Sequence, residues 1–136
     1  MTRLKRILIA DDHTEILQEI RSLLQQDYEI IGAVGDGAAL VEEASRLKPD
    51  LIISDVSMPV MNGFEAAGKI RSLGLKTHII FLTVHSSPPY LRKARSLGAS
   101  GYVLKVYANE QLPIAVSTVL RGESYTSPEL GAGDLH

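Results

Sequence analysis

Five side chains of this sequence have the types and spacing for phosphoryl chemistry: Asp11, Asp12, Asp55, Thr83 and Lys105. Each stands at, or directly after, the end of a short apolar run, such as Ile7-Leu8-Ile9-Ala10 before Asp11 or Ile79-Ile80-Phe81-Leu82 before Thr83. Three carboxylates brought to one crevice repel each other unless a cation lies among them. Hard oxygen donors, with no cysteine in the chain and no cluster of histidines, favour Mg²⁺ over zinc. Lys105 would add a mobile positive charge and Thr83 a hydroxyl, both suited to phosphoryl oxygens. An aspartate carboxylate is itself a competent nucleophile toward phosphorus, giving an aspartyl phosphate. Taken singly, an aspartate at a strand end is usually a turn residue and a lysine a solvated one. The joint placement at four strand ends is what carries the reading.

The elements that must position them follow from the hydrophobic pattern. Apolar runs at Lys5–Ala10, Glu29–Val34, Leu51–Asp55, His78–Thr83 and Gly101–Leu104 are mostly continuous, as in strands covered on both faces. Between them run helical patterns. Ile16, Ile20, Leu23 and Leu24 share one face of a first helix, with Thr14 as its candidate cap. Leu40, Ala44 and Leu47 mark a second, stopped by Pro49. A third, fourth and fifth close at Gly74, Gly98 and Gly122. The order is (βα)5, which predicts a doubly wound parallel five-stranded sheet of flavodoxin-like order 2-1-3-4-5, with its switch point between strands 1 and 3. Ligands in such sheets gather beyond the carboxyl ends of the strands, where the five residues stand.

Length and composition agree. At 136 residues the chain has room for one domain, and 45% hydrophobic residues supply a core. Fourteen basic against sixteen acidic residues give a net charge of −2, with no bulk attraction for nucleic acid or an anionic membrane. No apolar run is long enough to span a bilayer, and the start is no signal peptide, so a soluble cytoplasmic domain is expected. From Glu123 onward the stretch Ser124–Gly133 is rich in small and turn-forming residues and lacks a period, and is read as a linker or tail.

Five motifs in order carry a resemblance. They are Ile9-Ala10-Asp11-Asp12-His13; Ser54-Asp55-Val56-Ser57-Met58-Pro59 with Met61-Asn62-Gly63; Leu82-Thr83; Gly98-Ala99; and Gly101-Tyr102 with Leu104-Lys105. Over about residues 5–121 the chain resembles the receiver (CheY-like) domain of bacterial response regulators. Asp-Asp-His at 11–13 and the stretch Leu112–Pro128 resemble the NarL/FixJ subfamily, whose receivers precede a LuxR-type helix-turn-helix. The resemblance implies that Asp55 is the phosphoacceptor, served by a sensor histidine kinase. It implies Mg²⁺ on Asp12, Asp55 and the Ser57 carbonyl, with Asp11 acting through water. Thr83 and Lys105 would hold the phosphoryl group, and Thr83 and Tyr102 would form the switch. His85, two residues past Thr83, would tune the lifetime of the phosphate. It also implies a domain at 1–122, a tail at 123–136 toward an output domain absent from this chain, a weak homodimer on phosphorylation, and DNA contact only through that output domain. The alternative is a stand-alone receiver that docks to a protein. Two departures stand out: Asn62 occupies a position often held by Asp, and Val106 follows Lys105 where Pro is usual, so a trans peptide is expected there. A haloacid-dehalogenase-like phosphohydrolase would need a second Asp at position 57, which is Ser. An FMN carrier would need a phosphate-cradling loop where Asp11-Asp12 stand. The basic residues Arg92, Lys93 and Arg95 on the fourth helix are read as a solvated or docking face.

Overall fold

In a computed structural model describing residues 3–130, the strands are β1 (Arg6–Ala10), β2 (Glu29–Val34), β3 (Leu51–Ser54), β4 (His78–Thr83), β5 (Gly101–Leu104) and β6 (Tyr125–Thr126). The helices are α1 (Thr14–Leu24), α2 (Gly37–Leu47), α3 (Gly63–Ser72), α4 (Pro88–Ser96) and α5 (Ala108–Leu120). All strand pairs are parallel, in the order β2-β1-β3-β4-β5-β6. The first five strands, their order and the five crossover helices are as the hydrophobic pattern predicts. Strand alternation splits the core in two. Ile7, Ile9, Ile53, Ile80, Leu82 and Val103 face α1 and α5, while Leu8, Ile52, Ile79, Phe81 and Tyr102 face α2, α3 and α4. Because β1, β3, β4 and β5 are covered on both sides, their sequences show no polar alternation.

The sixth strand corrects the five-strand expectation. Tyr125 N donates to the Ser100 carbonyl and Ser127 N to the Tyr102 carbonyl, both at 2.9 Å, so part of the stretch read as a linker lies on the outer edge of β5. Two residues of strand are too short to leave a periodic signature. A 3-10 turn at Pro128–Leu130 follows, and residues 131–136, with His136, lie outside the described residues.

Helix ends position the loops that matter. Asn62 caps α3 by accepting from Glu65 N at 2.8 Å, and Glu65 returns the bond to Asn62 N, a reciprocal pair that Asn serves as well as Asp. Asp36 caps α2 through Ala39 N at 2.7 Å. Thr14 does not cap α1; it is the first helical residue, and His13 precedes it without a side-chain cap because its ring is turned to the aspartates. Gly74, Gly98 and Gly122 follow α3, α4 and α5 in the left-handed conformation, as expected of helix-closing glycines. Every described peptide bond is trans, that after Lys105 included. At the far end of the sheet from the aspartates, Arg71 donates to the carbonyls of Leu75, Thr77, Leu97 and Gly98 and so ties α3 to the start of β4 and the end of α4. No helix among the described residues is long and apolar enough to cross a membrane.

Candidate functional site

The carboxyl ends of β1, β3, β4 and β5 line one edge of the sheet because β1 pairs with β3, β3 with β4 and β4 with β5 in register. Asp11 and Asp55 leave adjacent strands: Asp11 N donates to the Val34 carbonyl at 3.0 Å, and Asp55 N to the Ala10 carbonyl at 2.9 Å. The backbone is thereby held to the last residue before each carboxylate. Lys105, in the short 3-10 turn Lys105–Tyr107 that follows β5, reaches back across the edge. Its ammonium lies 2.8 Å from Asp11 Oδ2 and 3.0 Å from Asp55 Oδ2.

Burial sharpens this electrostatics. Asp11 is 1% and Asp55 4% exposed, whereas Asp12 stands at the solvent edge. Burial pushes the Asp55 carboxyl above its usual range, and the neighbouring Asp11 charge adds to the rise. The hydrogen bond and charge of Lys105, with the Ser57 backbone amide, pull it back only in part. For Lys105, burial disfavours the ammonium, but Asp11 and Asp55 outweigh it and raise the pKa. The pair of acids is therefore short of positive charge. Asp11 Oδ2 is buried and has the Lys105 ammonium as its counter-charge, the same ammonium that Asp55 uses. Ligand atoms of Asp11, Asp12, His13 and Asp55 lie within 4.8 Å of one another. A small hard divalent cation fits this donor set and relieves the repulsion, so the residues present suit Mg²⁺.

The structure brings Thr83 and His85 to the same edge. Thr83 is fully buried at the end of β4, and its Oγ1 accepts from His85 N at 3.1 Å. Tyr102, 2% exposed, already stands inside, its hydroxyl donating to the His85 carbonyl at 2.8 Å. The His85 ring hydrogen-bonds through Nε2 with Ser57 Oγ at 2.9 Å and stacks on Tyr90, with centroids 4.1 Å apart and planes within 1°. Tyr90 continues to Phe64, and Phe64 meets Phe81 edge-on at 5.0 Å. The loop after β4 is thus pinned at backbone, hydroxyl and ring.

Three residues escaped the sequence reading. His13 Nδ1 lies 3.1 Å from Asp11 Oδ1 and 3.2 Å from Asp12 Oδ1, a contact its adjacency to the aspartates foreshadows. Ser57, expected only through its carbonyl, uses its hydroxyl on His85. Tyr90 leaves no signal, because stacking on a residue five positions earlier depends on how the loop folds. Arg92, Lys93 and Arg95 are exposed on α4, away from the aspartates, and Arg95 reaches the Thr126 hydroxyl at 3.3 Å.

Comparison with known proteins agrees with this geometry. The family model of the response regulator receiver domain matches residues 7–117. The chain is 37% identical over 128 residues to the oxygen regulatory protein NreC of Staphylococcus haemolyticus, and 35% identical to that of Staphylococcus aureus. In both cases 92% of this chain is covered and 59% of the relative, so the chain spans about three fifths of the length of these curated relatives. A LuxR-family two-component response regulator from Aurantimonas superposes with a TM-score of 0.89 at 28% identity, covering 94% of this chain and 93% of that one. The isolated receiver of RcsB from Salmonella enterica, solved with the phosphomimetic BeF3−, gives 0.86 at 29% identity and covers 94% and 96%. The flavodoxin-like sheet, the converging aspartates with their lysine, and a family match over most of the chain lead to one conclusion: this chain belongs to the response regulator receiver domains, of the LuxR/NarL type.

Proposed function

We propose that this receiver takes a phosphoryl group on Asp55 from a phosphohistidine of a sensor histidine kinase. The observation that carries the reading is the Lys105 ammonium set between Asp11 Oδ2 and Asp55 Oδ2. It supports Asp55 as the acceptor by setting a cation where the oxygens of an incoming phosphoryl group would lie. An Asp55 oxygen forms the new O–P bond while the P–N bond to the donor imidazole breaks, and the nitrogen keeps the bonding pair. Lys105 and the Thr83 hydroxyl then hold two phosphoryl oxygens. Asp12, Asp55 and the Ser57 carbonyl would hold Mg²⁺, with Asp11 acting through water. When bound, the metal neutralises charge on the transferring group.

Switching starts at Thr83. Its Oγ1 accepts from His85 N, which leaves the hydroxyl proton for a phosphoryl oxygen, so drawing Thr83 toward that oxygen pulls on the loop bonded to it. Recruitment of Thr83 and rearrangement of the loop held by Tyr102 would shift the α4–β5–α5 surface between two packings. We propose that this favours a weak homodimer and controls transcription through a LuxR-type helix-turn-helix outside these residues; a receiver acting by protein docking is the second reading. His85, held over the site by Ser57 and Tyr90, would set how readily water reaches the acyl phosphate.

Acetyl phosphate with Mg²⁺ is expected to add one phosphoryl group to the chain, read by intact-protein mass spectrometry. Asp55→Asn should abolish it, and labelling of that variant to the same extent would overturn the assignment. Sedimentation velocity with beryllofluoride should show a shift toward dimer.

A further inference from the structure

The segment after α5 is built into the site's supports. Ser127 is 1% exposed, and its Oγ accepts from Leu104 N at 3.0 Å. The same hydroxyl donates to Gln111 Oε1, and the buried Gln111 donates through Nε2 to Glu129 Oε1 at 2.7 Å. Ser127 N in turn donates to the Tyr102 carbonyl. One serine therefore engages β5 on both sides of Val103 and joins that strand to α5. Leu104 is the last residue of β5, and the next residue is Lys105, whose ammonium joins Asp11 and Asp55. A buried hydroxyl satisfied as both donor and acceptor has one orientation, and so fixes the strand end it holds.

We infer that Ser127 is a positioning residue of the phosphoryl site, holding the carboxyl end of β5 so that Lys105 stays on Asp55. The inference rests on the reading of Asp55 and Lys105 given above. Loss of the Ser127 hydroxyl leaves Leu104 N and Gln111 Oε1 unpaired in the interior, and the strand end relaxes toward water to satisfy them. Lys105 moves with it. The proposed metal ligands, Asp12, Asp55 and Ser57, follow β1 and β3 and would stay in place.

The test is beryllofluoride affinity in the presence of Mg²⁺ for the whole 136-residue chain, followed by fluorine NMR. Ser127→Ala should weaken beryllofluoride about tenfold, the scale of lost support behind a ligating group, with Mg²⁺ affinity unchanged. Lys105→Arg keeps the charge and measurable binding but displaces it. If Ser127 acts through Lys105, adding Ser127→Ala to Lys105→Arg should weaken binding far less than it does alone. Strict additivity would mark general loosening and overturn the inference, as would unchanged affinity in Ser127→Ala. Gln111→Leu, which removes the acceptor of the serine hydroxyl, should shift affinity in the same direction and serves if Ser127→Ala does not fold; unchanged affinity there would also overturn it. Failure of the unaltered chain to bind beryllofluoride would instead overturn the proposed phosphoryl site, and this inference with it.

Discussion

The Tyr102 hydroxyl donates to the backbone carbonyl of His85 over 2.8 Å, joining the middle of β5 to the loop that follows β4. The neighbouring amide of His85 is taken by Thr83 Oγ1 at 3.1 Å, so this one residue is held from both strands. Burial raises the Tyr102 phenol well above its usual pKa, and it remains a donor throughout the physiological range.

Tyr102→Phe keeps the buried ring and deletes only that bond. It should destabilise the chain by about 1 kcal/mol in urea unfolding. The clearer signature is local: amides of Val84, His85 and Ser86 should exchange faster, while those of β1 and β3 are unchanged. Unchanged exchange in the loop, or an equal rise in β1 and β3, would show that the hydroxyl does not hold the loop.

Asp55→Asn should raise the melting temperature of the metal-free chain at pH 7.5. The sign follows from the raised pKa of Asp55. A carboxyl whose folded pKa exceeds its unfolded value of about 3.9 stabilises the fold fully only below that value. The contribution is lost as pH rises through the folded pKa. Lys105, also raised, stays charged across this window and contributes no slope. The advantage of the variant should therefore shrink toward pH 4. Saturating Mg²⁺ should oppose it, stabilising the unaltered chain by about 2.7 kcal/mol at a hundred times its dissociation constant. A melting temperature lower than that of the unaltered chain at neutral pH without metal would contradict the charge balance described.

His85→Ala should shorten the lifetime of the Asp55 phosphoryl group. The ring is fixed by Ser57 Oγ and by the face of Tyr90, and its removal opens a path for water to the phosphorus. Tyr90→Ala frees the ring without deleting it and should act in the same direction, less strongly. Loss of the radiolabel from phosphorylated protein gives the rates; a longer lifetime in either variant would contradict the shielding role.

What the sequence made legible depends on how local the cause is. Asp11, Asp55, Thr83 and Lys105 were readable because each ends an apolar run, and parallel pairing necessarily aligns those ends. The three closing glycines were readable because a left-handed helix terminus selects the residue. The His85 stack was not, since its partner Tyr90 is chosen by the path of a loop. β6 was not, because its two residues owe their place to unpaired groups on β5 rather than to a period of their own. Thr14 looked like a cap by type, yet the preceding His13 occupies that position and turns its ring to Asp11 and Asp12.

Gly63 shows how a backbone contact, rather than a conformation, selects a residue beside the acceptor. A Cβ built there would lie 2.0 Å from the Asp55 carbonyl oxygen and 3.1 Å from the Val56 Cα. Both obstacles are backbone, so no side-chain adjustment relieves them. Gly63 N also donates to the Val56 carbonyl at 2.7 Å, which fixes the distance between α3 and the end of β3. Gly63→Ala must therefore push α3 away from β3 or displace the peptide of Asp55. We expect a loss of about 3 kcal/mol or more, at the upper end for single substitutions, and beryllofluoride binding weakened beyond what the fall in stability explains. Gly68→Ala on the same helix, where the nearest atom is the Leu97 Cδ2 at 3.8 Å, is the control and should fold and bind normally. Equal behaviour of the two variants would show that the close approach at Gly63 does not set the position of Asp55.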